Sequence, residues 1–275
     1  MKSIFLILII AFCSSATALS QYMYQTTSGT VAYEKAQAVF VGFDQSAFVV
    51  GTRGSSAAGR DQIILLRIDA SGTTLWQKEL GITGVIDAGF AIDGVDDDAD
   101  GFKDDGIIIV GQTASYAQSS GEIDLFVVKL DYSGNIIWQT VIGTEDFVEY
   151  PVSVIQTHDE GFLIAGQVEI LPSTSYAYVL KLDSLGGLGW TKVLSFSFSS
   201  EAQAFEAFEC DDDSDGLFDD AFVICGGQQP AGGGSDLPWA VKLDLQGDVV
   251  WSKTYDANSL PPYSFFTAAH KFKTS

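Results

Sequence analysis

Basic residues, histidine and cysteine are all scarce in this sequence, and the shortages narrow the range of functions. Lys and Arg number 14 against 36 Asp and Glu, which leaves a formal net charge of −22 and a pI near 4.1. Binding to phosphate backbones needs the opposite sign, so nucleic acid is excluded as a partner and cations are favoured. The two histidines, His158 and His270, have no cysteine or second histidine at metal-ligand spacing. No nucleophile elbow, phosphate-binding loop or dinucleotide fingerprint occurs either. Apolar runs long enough to span a bilayer are absent, and no segment carries convincing helical periodicity. What remains is an all-β chain without a membrane span, with 47% hydrophobic and 12% aromatic residues from which to build a core.

What the sequence does have is a repeat. A basic residue, an aliphatic one, Asp, two variable residues, Gly, three more and then Trp recur four times. The copies run from Arg67 and Asp69 through Gly72 to Trp76, from Lys129 and Asp131 through Gly134 to Trp138, from Lys181 and Asp183 through Gly186 to Trp190, and from Lys242 and Asp244 through Gly247 to Trp251. Gly supplies the positive φ of a tight hairpin, and Asp accepts bonds from the backbone ahead of it. A long repeat with a fixed hairpin inside it predicts a β-propeller of four-stranded blades. In the second copy, residues 124–130 and 135–142 read as the third and outer strands. The short apolar runs before them, 106–111 here and 48–51, 162–166 and 222–226 elsewhere, read as strands buried on both faces. First strands are expected near 37–41, 88–92, 151–156 and 202–208. The blades then occupy about 30–81, 82–143, 144–196 and 197–256, with a partial fifth at 257–275.

Met1 and Lys2 give a basic start, residues 4–12 an apolar run and Ala16-Thr17-Ala18 a signal peptidase site, so 1–18 reads as a signal peptide and 19–275 as a secreted, extracellular propeller domain. Phe12 stands before Cys13 where a lipidated cysteine needs a small residue. Residues 22–29 resemble the outer strand of a blade, and 264–272 the first strand of a fifth. On this reading the chain is a truncated product, or its ring is open and an incomplete blade is available for self-association. Cys210 and Cys225 would bracket an acidic loop: export favours a disulfide between them, whereas strand pairing sets Cys225 nearer Glu206 and out of reach.

Residues 96–105 and 211–220 hold six Asp each. Both fit Asp-x-Asp-x-Asp-Gly-x-x-Asp, which places carboxylates at loop positions 1, 3, 5 and 9, Gly at 6 and a backbone carbonyl at 7, the oxygen-ligand spacing of a Ca²⁺ loop. Asp96, Asp98, Asp100 and Asp104 with the Phe102 carbonyl form one expected site. Asp211, Asp213, Asp215 and Asp219 with the Leu217 carbonyl form the other. Asp97, between two of these ligands, is expected to face solvent. An EF-hand needs Glu at position 12, where Ile107 and Phe222 stand inside apolar strands, so the helix-loop-helix reading fails. The equivalent connection at 157–161 is a short turn, so the acidic loop reads as a replacement for an ordinary hairpin.

These loops resemble the calcium loops of FG-GAP repeats in integrin α-subunit propellers, which also join the first and second strands of a blade. The Asp-to-Trp turns resemble those of secreted bacterial-type (SBBP-like) β-propeller repeat proteins and, more distantly, the tryptophan-docking turns of quinoproteins. The FG-GAP resemblance is confined to the acidic loops and carries over no integrin-like ligand; the expected function is a calcium-binding propeller that acts as a binding or scaffold module for an unidentified protein or glycan, with the repeated tryptophans packing between blades. The alternative is a secreted propeller hydrolase or lyase acting on carbohydrate in the central channel. Arg, Glu and Tyr clustered on the first strands would mark that enzyme.

Overall fold

The computed structural model describes residues 33–54, 61–117, 123–143, 147–170, 174–194, 199–230 and 237–255. The signal peptide expected at 1–18, the strand expected at 22–29, His270 and the partial fifth repeat expected at 257–275 lie outside them. Among the described residues the chain is all-β, with no helix. Sixteen strands follow one another in four antiparallel meanders. The first is β1 (Tyr33–Val41), β2 (Ala47–Gly54), β3 (Gln62–Ile68) and β4 (Thr74–Leu80), and the second β5 (Asp87–Val95), β6 (Gly106–Thr113), β7 (Asp124–Asp131) and β8 (Ile136–Ile142). The third is β9 (Phe147–Gln156), β10 (Phe162–Ile170), β11 (Thr174–Leu182) and β12 (Leu188–Leu194), and the fourth β13 (Ser199–Cys210), β14 (Ala221–Pro230), β15 (Leu237–Asp244) and β16 (Val249–Thr254). The third and fourth are linked into one eight-stranded sheet by a single parallel pairing, Ser175 with Glu201.

Alternation along the middle strands stacks the meanders face to face. Ile107 and Ile109 of β6 enter a core with Phe48, Val50, Ile63 and Leu65 of the first sheet, while Ile108 and Val110 enter a second core with Phe162, Ile164 and Leu180 of the third. Leu163, Ala165 and Val179 face Phe222, Ile224 and Trp239 in the same way. A period of two therefore fills two interfaces from one strand, and each fully buried side chain stabilises by roughly 1.5–3 kcal/mol. The first strands neighbour one another, β1 against β5, β5 against β9 and β9 against β13. The outer strands β4, β8 and β12 are mostly exposed on one side.

Each first strand carries an extra residue at the same place. Gln37, Phe90, Val152 and Phe205 interrupt the register opposite the second strand, next to the pairs Ala36–Gly51, Gly89–Gly111, Pro151–Gly166 and Ala204–Gly226. The bulge drives a backbone carbonyl, of Lys35, Ala88, Tyr150 or Gln203, over the facing glycine, where a Cβ would overlap it. The four glycines that end the buried strand motifs are thus fixed by the approach of a neighbouring backbone. Gly111→Ala should cost about 3 kcal/mol, because the rigid Ala88 carbonyl must move. Gly84→Ala, at φ +87 but with open space around it, should cost only about 1–2 kcal/mol. Equal losses in urea unfolding would remove the bulge as the reason for Gly111.

Candidate metal loops and the turns that frame them

Each meander closes its β3–β4 hairpin with the repeated Asp and Gly. Asp131 donates its N–H to the Asn135 carbonyl at 2.9 Å, the Gly134 N–H returns to the Asp131 carbonyl at 2.9 Å, and the Asp131 carboxylate accepts from Asn135 N at 2.8 Å. Gly72, Gly134, Gly186 and Gly247 all sit at φ between 81 and 85°. The tryptophan of one sheet docks on the turn of the next. Trp76 Nε1 donates to the Tyr132 carbonyl at 3.0 Å, Trp138 to Ser184 at 3.2 Å and Trp190 to Leu245 at 3.0 Å. The indoles lie so close over the turn glycines that a Cβ on Gly134, Gly186 or Gly247 would come within 3.3, 2.9 and 2.9 Å of the ring. Packing between sheets, expected for these tryptophans, is what they do.

The basic residue at the head of each repeat also has one partner in every sheet. Arg67 pairs with Asp44 and Lys181 with Asp159, both in short β1–β2-type turns, at 2.6 and 2.8 Å. Lys129 pairs with Asp97 at 2.6 Å, and Lys242 with Asp212. Asp97 therefore does not simply face solvent as expected, and Asp212 is placed in the same way. They anchor the long loops to β7 and β15 as Asp44 and Asp159 anchor the short turns. Lys129 is 5% exposed, so its charge needs that partner.

The two acidic loops are built alike. Gly101 N donates to Asp96 Oδ2 at 2.9 Å and Gly216 N to Asp211 Oδ2 at 3.0 Å. Asp98 accepts from Asp100 N and Asp213 from Asp215 N, at 3.2 and 3.1 Å. Positions 4 and 6 are left-handed in both, Ala99 and Gly101 at φ 59 and 89°, Ser214 and Gly216 at 65 and 95°. One carboxylate oxygen from each of Asp96, Asp98 and Asp105 lies within 4.8 Å of the others, and the same holds for Asp211, Asp213 and Asp220. Either triad could hold a metal ion. Asp96 Oδ1 is buried and has no hydrogen-bond partner, so this oxygen is open to a cation.

The triads differ in part from the sets expected by spacing. Asp96, Asp98, Asp211 and Asp213 converge. Asp100 and Asp104, like Asp215 and Asp219, stand outside the tight groups, and Phe102 and Leu217 are 47 and 46% exposed. Asp104 stays within electrostatic reach: partial desolvation, then the charges of Asp100, Asp105 and Asp98, push its carboxyl above the ordinary value. Asp105 and Asp220 were missed because they occupy position 10, for which a twelve-residue ligand template has no role. Their signal is the acid directly before the buried strand. Asp105 N closes the hairpin on the Val95 carbonyl at 3.1 Å, and its carboxylate caps Asp97 N at 2.6 Å and Asp98 N at 3.2 Å. Asp220 repeats this with Cys210, Asp212 and Asp213.

Neighbouring elements brace both loops. Gln156 of β9 accepts from Asp96 N at 2.7 Å and donates to its carbonyl at 2.8 Å, while Tyr132 Oη donates to the Lys103 carbonyl at 2.5 Å. Beside the second loop, a cleft of about 420 Å³ between the third and fourth sheets is lined by His158, Lys181, Trp190, Glu209, Asp219 and Phe222. Glu209 accepts from His158 N at 3.0 Å, and His158 Nδ1 lies 3.8 Å from Asp219. Cys225 pairs in register with Glu206 and Cys210 with Ala221, and both thiols are free. Burial pushes the Cys225 thiol up to about 11 and raises that of Cys210, so neither is a ready nucleophile. The chain matches no family model and no curated protein, so its functional reading rests on this geometry.

Two outcomes follow. Asp105→Ala should speed amide exchange at Asp97 and Asp98 about tenfold, the equivalent of ~1.4 kcal/mol for a charge-assisted bond, whereas Asp104→Ala should not. For Asp159, burial opposes ionisation but Lys181 and Thr157 outweigh it and hold the carboxyl below its ordinary value. Ser46 and Arg67 outweigh burial at Asp44 in the same way. A depressed folded pKa gives stability that is full above the unfolded value near 3.9 and lost as pH falls through the folded one. Acid melts should therefore steepen below about pH 4, and Asp159→Asn should flatten that limb. An unchanged limb would deny the pair its role.

Proposed function

We propose that the chain is an exported, calcium-stabilised β-propeller of four-stranded blades that serves as a binding or scaffold module. The observation that carries the metal is the duplicated loop: the Gly caps on Asp96 and Asp211, the Asp105 and Asp220 caps, the same left-handed positions and the same carboxylate triad occur twice, and in the first loop a buried carboxylate oxygen lacks a partner, whereas Asp211 Oδ1 in the second accepts from Ser214 N at 2.6 Å. All donors are oxygens, which suits a hard cation, and so many carboxylates in a short loop suit Ca²⁺ better than Mg²⁺, which keeps its waters. Asp96, Asp98 and Asp105 would hold one ion and Asp211, Asp213 and Asp220 the other, with Asp100, Asp104, Asp215 and Asp219 and the Phe102 and Leu217 carbonyls available to complete the shell. A bound ion would supply the positive charge that offsets repulsion among these carboxylates.

The blade reading is supported by the four meanders, their adjacent first strands and the tryptophan joints. The resemblance to SBBP-like and FG-GAP propellers points the same way. The described first strands carry Glu34, Glu149, Tyr150, Glu201, Glu206 and Glu209 but no arginine, so the Arg, Glu and Tyr cluster that would mark the hydrolase or lyase is incomplete there. Export is the expectation from residues 1–18 and suits millimolar extracellular calcium.

Calorimetric titration should find two Ca²⁺ per chain, and chelation should lower the melting temperature. An ion that binds only the folded form stabilises by about 2.7 kcal/mol at 100 times its Kd. Asp98→Asn and Asp105→Asn should each weaken one site about tenfold or more, with Asp97→Asn, already paired to Lys129, changing it far less. No bound Ca²⁺ at millimolar concentration would end the assignment, and equal losses for all three variants would reduce it to diffuse attraction.

A further inference from the structure

Among the described residues three of the four repeat tryptophans are docked on a turn and the fourth, Trp251, is not. Trp251 is 37% exposed, and its indole N–H has no acceptor among the described residues. Lys253 stands two residues on, where Lys78 reaches the Gly134 carbonyl at 2.8 Å and Lys192 reaches Asp248 at 2.8 Å, yet it makes no ion pair among the described residues and lies 5.9 Å from the Trp251 ring centre. The whole of β16 is exposed, with Val249 and Val250 at 56 and 58%, whereas β4, β8 and β12 each half-bury alternate residues against a following sheet.

The first of the described sheets carries the matching half. The 69–72 turn has the receiving conformation, with Gly72 N on the Asp69 carbonyl at 2.9 Å and Gly72 at φ 85°, against 84, 84 and 81° in the three turns that hold a tryptophan. Ala70 is exposed, and it occupies the place of Tyr132, Ser184 and Leu245, whose carbonyls accept the indole N–H. Among the described residues no side chain donates to the Ala70 carbonyl. The acceptor position is indifferent to side chain, since Tyr, Ser and Leu all serve, so Ala is no obstacle.

We propose that Trp251 of one copy docks on the 69–72 turn of a second copy, making between chains the joint that each chain makes three times within itself. The indole would bond to the Ala70 carbonyl and lie over Gly72, and Lys253 would reach the Gly72 carbonyl as Lys78 reaches that of Gly134. Such a contact is head to tail, so it propagates into a ring or a filament rather than stopping at a symmetric dimer. The joint uses no residue of either acidic loop and stands independently of the calcium reading.

The test is light scattering and sedimentation of the full chain at physiological salt over a wide concentration range, with calcium and with chelator. The wild type should associate as concentration rises. Trp251→Ala and Gly72→Ala should each be monomeric, while their equimolar mixture should form a dimer of one copy each and grow no further, because each variant keeps the half the other lacks. If the melt shows that Gly72→Ala fails to fold, Trp251→Ala added to wild type should cap growing assemblies and shorten them. A wild type that stays monomeric at every concentration overturns the proposal, as does association that Trp251→Ala leaves unchanged. Calcium titration of Trp251→Ala should match the wild type, which separates failure of the joint from failure of the metal sites.

Discussion

A single hydrogen bond, from an indole N–H to a turn carbonyl, recurs wherever one sheet of this molecule meets the next. It is the directed contact that repeats in the same form at each of these interfaces, which are otherwise filled mainly by apolar side chains. The aliphatic cores between sheets supply most of the free energy, but branched side chains tolerate sliding, and a sheet that slipped by one residue would turn every side chain over. The bond from Trp138 to the Ser184 carbonyl, with the ring laid on Gly186, fixes where the next sheet sits relative to the last. Glycine is required in the turn for two reasons at once, its positive φ and the plane of the ring above it.

The acidic loops depend on the same repeat through its basic residue. Placing a charged lysine at the buried end of β7 is unfavourable without a counter-ion, and Asp97 provides it from the loop. The same pairing spans the short turn at Asp159, so the connection between first and second strands is held at its base whatever its length. A long acidic insertion is tolerated there because its ends are clamped by this pair and by the Asp105 cap. The cost of the insertion is then desolvation of its carboxylates and the repulsion among them, which together push the Asp104 carboxyl above its ordinary value.

The strands and hairpins were legible because period and turn chemistry are local. Runs such as 106–111 and the Asp-to-Gly turns fall where residue type alone places them. The bulges at Gln37, Phe90, Val152 and Phe205 were not legible, since the extra residue is defined only by the partner strand; the glycines opposite them were the trace it left. In the loops, Asp96 and Asp98 were found by spacing because the tight turn at Gly101 folds the chain back on itself. Asp105 was missed because its place is set by closure of the hairpin on Val95, a contact across the loop. Asp97 was given to solvent because its lysine lies 32 residues away. The register between Cys225 and Glu206 was legible once both strands were in place, and with it the absence of a bridge.

The two acidic loops stand in the second and fourth sheets, and the short turns in the first and third. Sheets stack about 10 Å apart, so the loops lie roughly 20 Å from one another, more than two screening lengths at physiological salt. The short turn at 157–161 fills the space between them, with Gln156 bonded to one loop and His158 placed against the other. A loop of this charge in every sheet would set like charges side by side about 10 Å apart, little more than one screening length. Alternation spaces the charge and makes the two-sheet pair, rather than the single sheet, the unit that repeats. Lengthening such a row by whole pairs keeps every acidic loop flanked by short turns.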